Sequence, residues 1–399
     1  MNKFSDNAYV TILLCSSIDA KKNGYKPYTP VKWNELVKKI MKSPLKEPAE
    51  LLNTEKSRLP ELLRIDTAET ERITKLLSRG ANLALKLDEF ERMGINVITK
   101  SDKEYPLRLK KILKRYAPPV LYYSGDISLA ARTGIAIVGS RNIDKTGERV
   151  ASTLAEKAVD EGLLVFSGGA RGVDVISEKS ALKKGGRVVS FLANSLEKKI
   201  RKKDDRNLIS KGRLLLMSSA NPDAPFSTGA AMGRNKYVYA LSTGTFVVAS
   251  SFKKGGTWAG ATDNLKNQRV KLFVYDSEQY TGNKALIKRG ATPFDQVDSL
   301  AIIDLLKGEQ LQKSQINLFE TRYADQQHQK NYDLYYVVID TILDFVQEKK
   351  SLKEIKEALK VSQNQASFWL KRAIEDRLIE KTYKPVKYRA IKKSTPSHN

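Results

Sequence analysis

One cysteine, Cys15, and two histidines, His328 and His398, are all that 399 residues hold of the side chains that most often build metal sites. A single thiol excludes an internal disulfide and fits a reducing compartment. His328 lies in a polar stretch and His398 beside the last residue, both far in sequence from every glycine-rich motif. Histidine acid–base chemistry, a His/Cys zinc site and a cofactor are therefore not expected. Long apolar runs are missing too: no segment approaches the about 18 residues that a membrane span needs, and a cytoplasmic protein without a membrane partner is expected. The stretch "AYVTILLCSS" ends like a lipoprotein signal at Leu13-Leu14-Cys15. Leu14 is not the small residue such a site wants and Asp6 spoils a positive start, so a core helix is expected there. Acids are the other shortage, 45 Asp+Glu against 70 Lys+Arg, a formal charge of +25. That excess favours a polyanionic partner, nucleic acid first; the plain alternative is a lysine-rich composition that binds nothing.

What is present falls into successive textures. Residues 1–98 read as a helical domain: "VKWNELVKKIMKS" and "TAETERITKLLSRGANLALKLDEFERMG" space apolar residues three and four apart, and Gly94 ends the last helix. "INVITKSDKEYPLRLKKI" follows as a short strand, a turn and a helix, and "APPVLYYSGD" as the entry to a new domain. From Ile135 to about Ile303 short apolar runs ("IAIVG", "LLVFSGG", "RVVSFL", "GRLLLMS", "TFVVAS", "VKLFVY") are separated by helical patterns. Residues 99–308 are thus expected to form a Rossmann-like α/β domain with a doubly wound, mostly parallel sheet. Residues 309–331 are polar and Gln-rich and read as a linker. In 332–393 come an amphipathic helix, a capping box formed by Ser351 and Glu354, a turn at Val361-Ser362, a second helix and two strands about Pro385. That is the order of a winged helix. The tail "KKSTPSHN" is expected to be disordered.

Three loops carry the chemistry. "GIAIVGSRNIDKTG" begins as a nucleotide-binding strand does, yet Ser140 and Arg141 follow Gly139 where a dinucleotide fingerprint would continue with further glycines. "FSGGARGVD" follows the strand "LLVF" and precedes a helix. Its glycines Gly168, Gly169 and Gly172 let backbone N–H groups approach an anion at a helix N-terminus, and Arg171 adds a charged fork. "SSFKKGGTWAGATDN" follows "TFVVAS", with Lys253, Lys254, Gly255, Gly256 and Thr257 resembling a phosphate cradle. Each loop alone is weak, since Gly-rich turns are common at strand ends. In one open α/β sheet such ends face a common crevice, and three of them with few acids argue for holding a nucleotide or a phosphate backbone.

"AIVGSR", "SGGARGVD", "SALKKGG", "GRNKYVYALS", "GGTWAGA" and "TGNKALIKRGA" stand in the order and approximate spacing of the DNA-processing protein A (DprA/Smf) family, which this chain resembles over roughly residues 60 to 300. The resemblance implies a single-stranded DNA-binding protein that delivers the strand to a RecA-type recombinase and acts as a homodimer; with neither histidine placed for chemistry and acids that do not cluster, no enzymatic turnover is expected. By motif it places Gly139, Ser140 and Arg141 at the first strand end. It makes Ser167, Gly168, Gly169, Arg171, Gly172 and Asp174 a phosphate-facing loop, and Arg234, Asn235 and Lys236 the start of a helix lining the pocket. Departures are visible: Glu178 stands where the family has a histidine, Ser177 replaces a small apolar residue, Met232-Gly233 precede the Arg-Asn pair, and "GGTWAGA" replaces a serine-rich loop.

Several residues carry a bland reading beside the sharp one. Arg141 and Arg171 are phosphate contacts or ion-paired surface residues, and Asp174 is functional or the cap of its helix. The run "LEKKIRKKDDRN", residues 196–207, is a solvated helix end or an extension of a DNA track. Trp258 and Tyr237 stack on bases or pack in the core, with the core favoured for Tyr237. Trp369 is expected to pack, leaving Lys371, Arg372 and Lys381 for phosphate. Two other function classes stay open: a nucleotide-binding sensor or nucleotide N-glycosidic hydrolase, for which Asp263 and Glu178 are the available acids, and a duplex-binding regulator acting through the winged helix.

Overall fold

The computed structural model describes residues 4–18, 24–225, 227–307, 334–359, 361–376, 378–383 and 385–391. The Gln-rich linker, the C-terminal tail and both histidines lie outside them. The chain divides into two compact units, Met1–Gln310 and Leu311–Asn399.

The first unit opens with helices α1 (Asp6–Cys15), α2 (Pro30–Lys42), α3 (Leu59–Leu63), α4 (Thr67–Leu77) and α5 (Gly80–Arg92). Val10, Ile12, Leu13 and Leu14 of α1 are buried, so its apolar run is a core helix. The capping oxygens are local: Ser5 accepts from Ala8 N–H, Thr29 from Lys32 N–H and Asp66 from Glu69 N–H. The segment that reads as continuous helix from Thr67 to Gly94 is broken at Ser78–Arg79. Arg79 turns inward there and its guanidinium donates to the carbonyls of Leu13, Ser16 and Ile18. The open end of α1 is thereby satisfied by a side chain 66 residues away.

A nine-stranded sheet follows, in the order β1-β2-β6-β5-β4-β3-β7-β8-β9. Its strands are β1 (Asn96–Thr99), β2 (Val120–Ser124), β3 (Gly134–Val138), β4 (Leu164–Ser167), β5 (Val188–Leu192), β6 (Leu214–Ser218), β7 (Gly244–Val247), β8 (Lys271–Tyr275) and β9 (Thr292–Phe294). Strands β3 to β9 run parallel; β2 joins β6 antiparallel, with Tyr123 opposite Met217, and β1 joins β2 antiparallel. The 98/99 boundary read from the sequence falls inside β1, and "VLYYS", read as a domain entry, is strand β2.

Alternation splits each parallel strand between two cores. Ile135, Ile137, Val165, Val188 and Leu216 face one side, with Val150 and Leu154 of α7 (Lys145–Asp160). Ala136, Phe166, Val189, Leu215 and Met217 face the other, with Tyr237 and Val238 of α11 (Thr228–Leu241). Burial on both faces is why these strands read as unbroken apolar runs. Helix α6 (Leu107–Leu113) lies between β1 and β2; between α7 and α11 come α8 (Val173–Lys183), α9 (Leu196–Ile200) and α10 (Lys203–Ser210), and α12 (Gly255–Asn267) follows β7. The chain moves outward from β3 through β4, β5 and β6, then crosses to the opposite side of β3 to form β7. The switch point of the sheet therefore lies between β3 and β7, where ligands of open α/β sheets bind. Among the described residues no helix is long and apolar enough to cross a membrane.

The second unit has helices Leu334–Phe345, Leu352–Leu359 and Gln363–Glu375 and an antiparallel hairpin, Ile379–Tyr383 with Val386–Ala390. Ile342, Val346, Ile355, Trp369, Leu370 and Tyr388 share its core. The capping box forms: Ser351 N–H donates to Glu354 Oε2 at 2.8 Å, and Ser351 Oγ accepts from Glu354 N–H at 3.4 Å.

Candidate nucleic-acid interface

The loops after β3, β4 and β7 meet at the carboxyl edge of the sheet and are tied by backbone. Ser140 N–H donates to Ala249 O at 2.9 Å, and Val173 N–H to Ser140 O at 3.3 Å. Gly172 makes the second contact possible: its φ is +80°, and a Cβ there would lie 2.3 Å from Ser140 O. Gly168 opens space of another kind. A Cβ on it would fall 0.9 Å from a terminal nitrogen of Arg234, so the guanidinium occupies the volume that the glycine vacates.

That guanidinium faces Asp174 at 3.5 Å, with the two side chains 7% and 9% exposed. Burial pushes the Asp174 carboxyl above its usual range, Arg234 pulls it back down, and neighbouring Glu178 adds to the rise. Asp174 does not cap α8. Gly172 holds the N-cap position, and Asp174, inside the first turn, accepts from Ala170 N–H at 3.3 Å. Glu178 is buried as well, accepting from Ser190 Oγ at 2.5 Å and facing Lys199 Nζ at 3.1 Å.

Two clefts open on this edge. The one at the switch point has a volume of about 650 Å³ and is bounded by Ser140, Arg141, Asn235, Gly256, Thr257 and Tyr239. The other, about 960 Å³, lies over β4 and β5, where Arg171, Lys179, Lys198, Lys202 and Lys203 stand around it. Arg141 and Arg234 belong to the walls of both. The second cleft also holds acids, Glu178, Asp204 and Asp205, so it is basic by excess.

Of the residues singled out from the sequence, Gly139, Ser140, Arg141, Arg234, Asn235, Lys254, Gly255, Gly256 and Thr257 line the switch-point cleft. Gly168, Gly169 and Arg171 line the second. Three do other work. Ser167 is fully buried and its hydroxyl joins Asp174 O to Gly169 N–H. Gly172 spaces two loops. Lys236 turns away from both clefts, its ammonium over the rings of Tyr237 at 5.1 Å and Tyr116 at 5.9 Å. Asn235 acts on the backbone, donating to Gly256 O at 2.9 Å and so fixing the start of α12. Tyr237 packs on Phe191, and Trp258, 8% exposed, packs edge-on against Phe252 beneath Arg289. Burial of both rings matches the core alternative. Sequence reasoning missed Tyr239 and Ser250, both in the switch-point wall. The available signals were the four-residue spacing from Asn235 to Tyr239 and the position of Ser250 just past β7.

A family model described as DNA recombination-mediator protein A matches residues 96–303. DNA processing protein DprA of Bacillus subtilis is 32% identical over 213 residues, which cover 51% of this chain and 70% of that protein. Protein Smf of Synechocystis is 27% identical over 252 residues, 60% of this chain and 63% of its own length. DprA of Streptococcus pneumoniae is 27% identical over 177 residues, 44% of this chain and 60% of its own length. For the latter two the match spans less than two thirds of the relative. Among solved structures, DprA from Streptococcus pneumoniae superposes with a TM-score of 0.56 and 19% identity, covering 73% of this chain and 95% of that one, which shows a shared fold.

Proposed function

The chain belongs to the DNA recombination-mediator protein A family, and on that premise we propose that it binds single-stranded DNA along the basic edge of the sheet and hands the strand to a RecA-type recombinase. The single observation that carries the reading is the basic wall of the second cleft, which runs from Arg141 at the end of β3 past Arg171 to Lys202 and so offers one continuous path for a phosphate backbone. Along it, Arg171, Lys179, Lys198, Lys202 and Lys203 supply charge without the base-edge geometry that sequence reading needs. The run 196–207, which spans α9 and the start of α10, is thus an extension of the DNA track. Self-association as a dimer and a supporting role for a C-terminal winged helix belong to the same proposal.

In this reading the protein is a binder and not an enzyme. Supporting this, the two acids that a nucleotide hydrolase would have drawn on are engaged with partners of their own. Glu178 is held by Ser190 and Lys199, and Asp263 by Arg269.

Fluorescence anisotropy with a labelled thymidine oligonucleotide tests the proposal. Affinity should exceed that for duplex of equal length and fall with salt at a log–log slope of about −0.7 per phosphate neutralised. Arg171→Ala combined with Lys202→Ala should weaken binding about tenfold or more, equivalent to roughly 1.4 kcal/mol, with unchanged circular dichroism. Preference for duplex, or full affinity in the double variant, would overturn the assignment.

A further inference from the structure

The switch-point cleft carries a signature that a DNA track along the sheet edge does not use. Three polar atoms in its wall, Arg234 Nε, Tyr239 OH and Ser250 Oγ, are buried and have no hydrogen-bond partner. The three residues are 6%, 1% and 4% exposed, so bulk water does not serve these atoms. Buried donors are almost always paired, and three orphans in one wall call for an oxygen-rich group from outside the chain. Helix α12, 13 residues long, starts on the same cleft with no side chain capping its N-terminus, leaving the N–H groups around Gly256 and Thr257 as further donors. A guanidinium, two hydroxyls and an uncapped helix start together suit a phosphate dianion. The volume of about 650 Å³ far exceeds a phosphate, and Val138, Met232 and Ala259 give the remainder an apolar lining.

We propose that the switch-point cleft is a binding site for a nucleoside 5′-monophosphate. The phosphoryl group sits among Arg234, Tyr239, Ser250 and the start of α12, and the base lies toward Met232, which is 52% exposed at the rim. The same phosphomonoester chemistry has two sources, a free nucleotide or the phosphorylated 5′ end of a strand. The proposal goes beyond the DNA track described above and stands or falls separately from it.

Calorimetry and thermal unfolding of the full chain with AMP, dTMP, adenosine and inorganic phosphate test it. AMP or dTMP should bind with a Kd below about 1 mM and raise the unfolding temperature, while adenosine and phosphate bind at least tenfold more weakly. Tyr239→Phe and Ser250→Ala remove hydroxyls that have no partner in the unliganded protein. The pair should therefore leave the unliganded unfolding temperature unchanged or higher, yet weaken AMP about tenfold or more. Retained AMP affinity in that variant, or AMP binding no better than adenosine or phosphate, would overturn the site. Oligonucleotide competition separates the sources. Displacement of AMP by a 5′-phosphorylated strand alone assigns the site to strand ends, and displacement by neither strand assigns it to free nucleotide. Equal displacement by a 5′-hydroxyl strand would merge the cleft with the DNA track and refute the proposal. Anisotropy of the labelled 5′-hydroxyl strand on the same sample reads the DNA proposal independently.

Discussion

Replacing Arg234 with methionine keeps most of the side-chain volume and removes the charge that faces Asp174. The two groups are 3.5 Å apart and less than one tenth exposed. At an effective dielectric of about 20 their attraction is about 5 kcal/mol, and the measured cost of stranding one member of a buried pair is about 3–5 kcal/mol. Arg234→Met should therefore lose about 3–5 kcal/mol near neutral pH. The loss depends on pH in a definite direction. Burial already raises the Asp174 carboxyl, so the folded state binds its proton more tightly than the unfolded chain does, and Arg234 is the main influence holding it down. A raised folded-state value contributes stability that is complete below the ordinary Asp range and disappears as pH climbs through the raised value. Without Arg234 that value climbs further and the penalty for the ionised form grows. Variant and wild type should thus differ least at about pH 3, below the ordinary Asp range, and diverge toward neutrality. Urea unfolding followed by circular dichroism at the two pH values measures the divergence. Adding Asp174→Asn should restore most of the loss at neutral pH, because no charge is then stranded. Equal destabilisation at both pH values, or no rescue by Asp174→Asn, would refute the pairing as the source of stability.

Gly168→Ala should destabilise nearly as much as Arg234→Met, since the new methyl takes the place of the guanidinium; in an Arg234→Met background its urea-midpoint shift should shrink sharply, and additive shifts would show that Arg234 has room to move. Gly172→Ala meets both a left-handed φ and the Ser140 carbonyl, so it should cost more than about 2 kcal/mol and weaken single-stranded DNA binding together with stability, read by urea midpoint and anisotropy. Asp144 caps α7, accepting from Gly147 N–H and from the Tyr280 hydroxyl, and these bonds lower its carboxyl value. Its contribution is therefore present above the ordinary Asp range and lost as pH falls through the lowered value, so Asp144→Ala should cost about 1 kcal/mol at neutral pH and progressively less in acid.

The sequence alone determined what depends on neighbours along the chain. Parallel strands buried on both faces appear as short unbroken apolar runs, which is why β3 to β8 could be read one by one and the α/β class followed from their alternation with helices. Glycines and basic residues at strand ends marked the loops after β3, β4 and β7, and the Ser351–Glu354 box marked a helix start, because turn chemistry and caps are fixed within a few residues. Tertiary structure decided the rest. The helical pattern from Thr67 to Gly94 is periodic throughout, yet it breaks at Arg79 because the open carbonyls of α1 are brought there by packing. "VLYYS" gives no sign of pairing antiparallel with β6, a strand about ninety residues later, since its partner is chosen by the order of the sheet. The crossing of the chain from β6 over β3 to β7 sets residues near 140, 170, 235 and 250 around one cleft. The face of α11 that packs on the sheet then sends Lys236 outward and Tyr239 inward, although both sit in the same motif. Local pattern fixes which residues form an element and where it ends. Which side chains of distant elements become neighbours, as Arg234 and Asp174 do across 60 residues, is fixed only when the sheet order and the phase of each helix on it are in place.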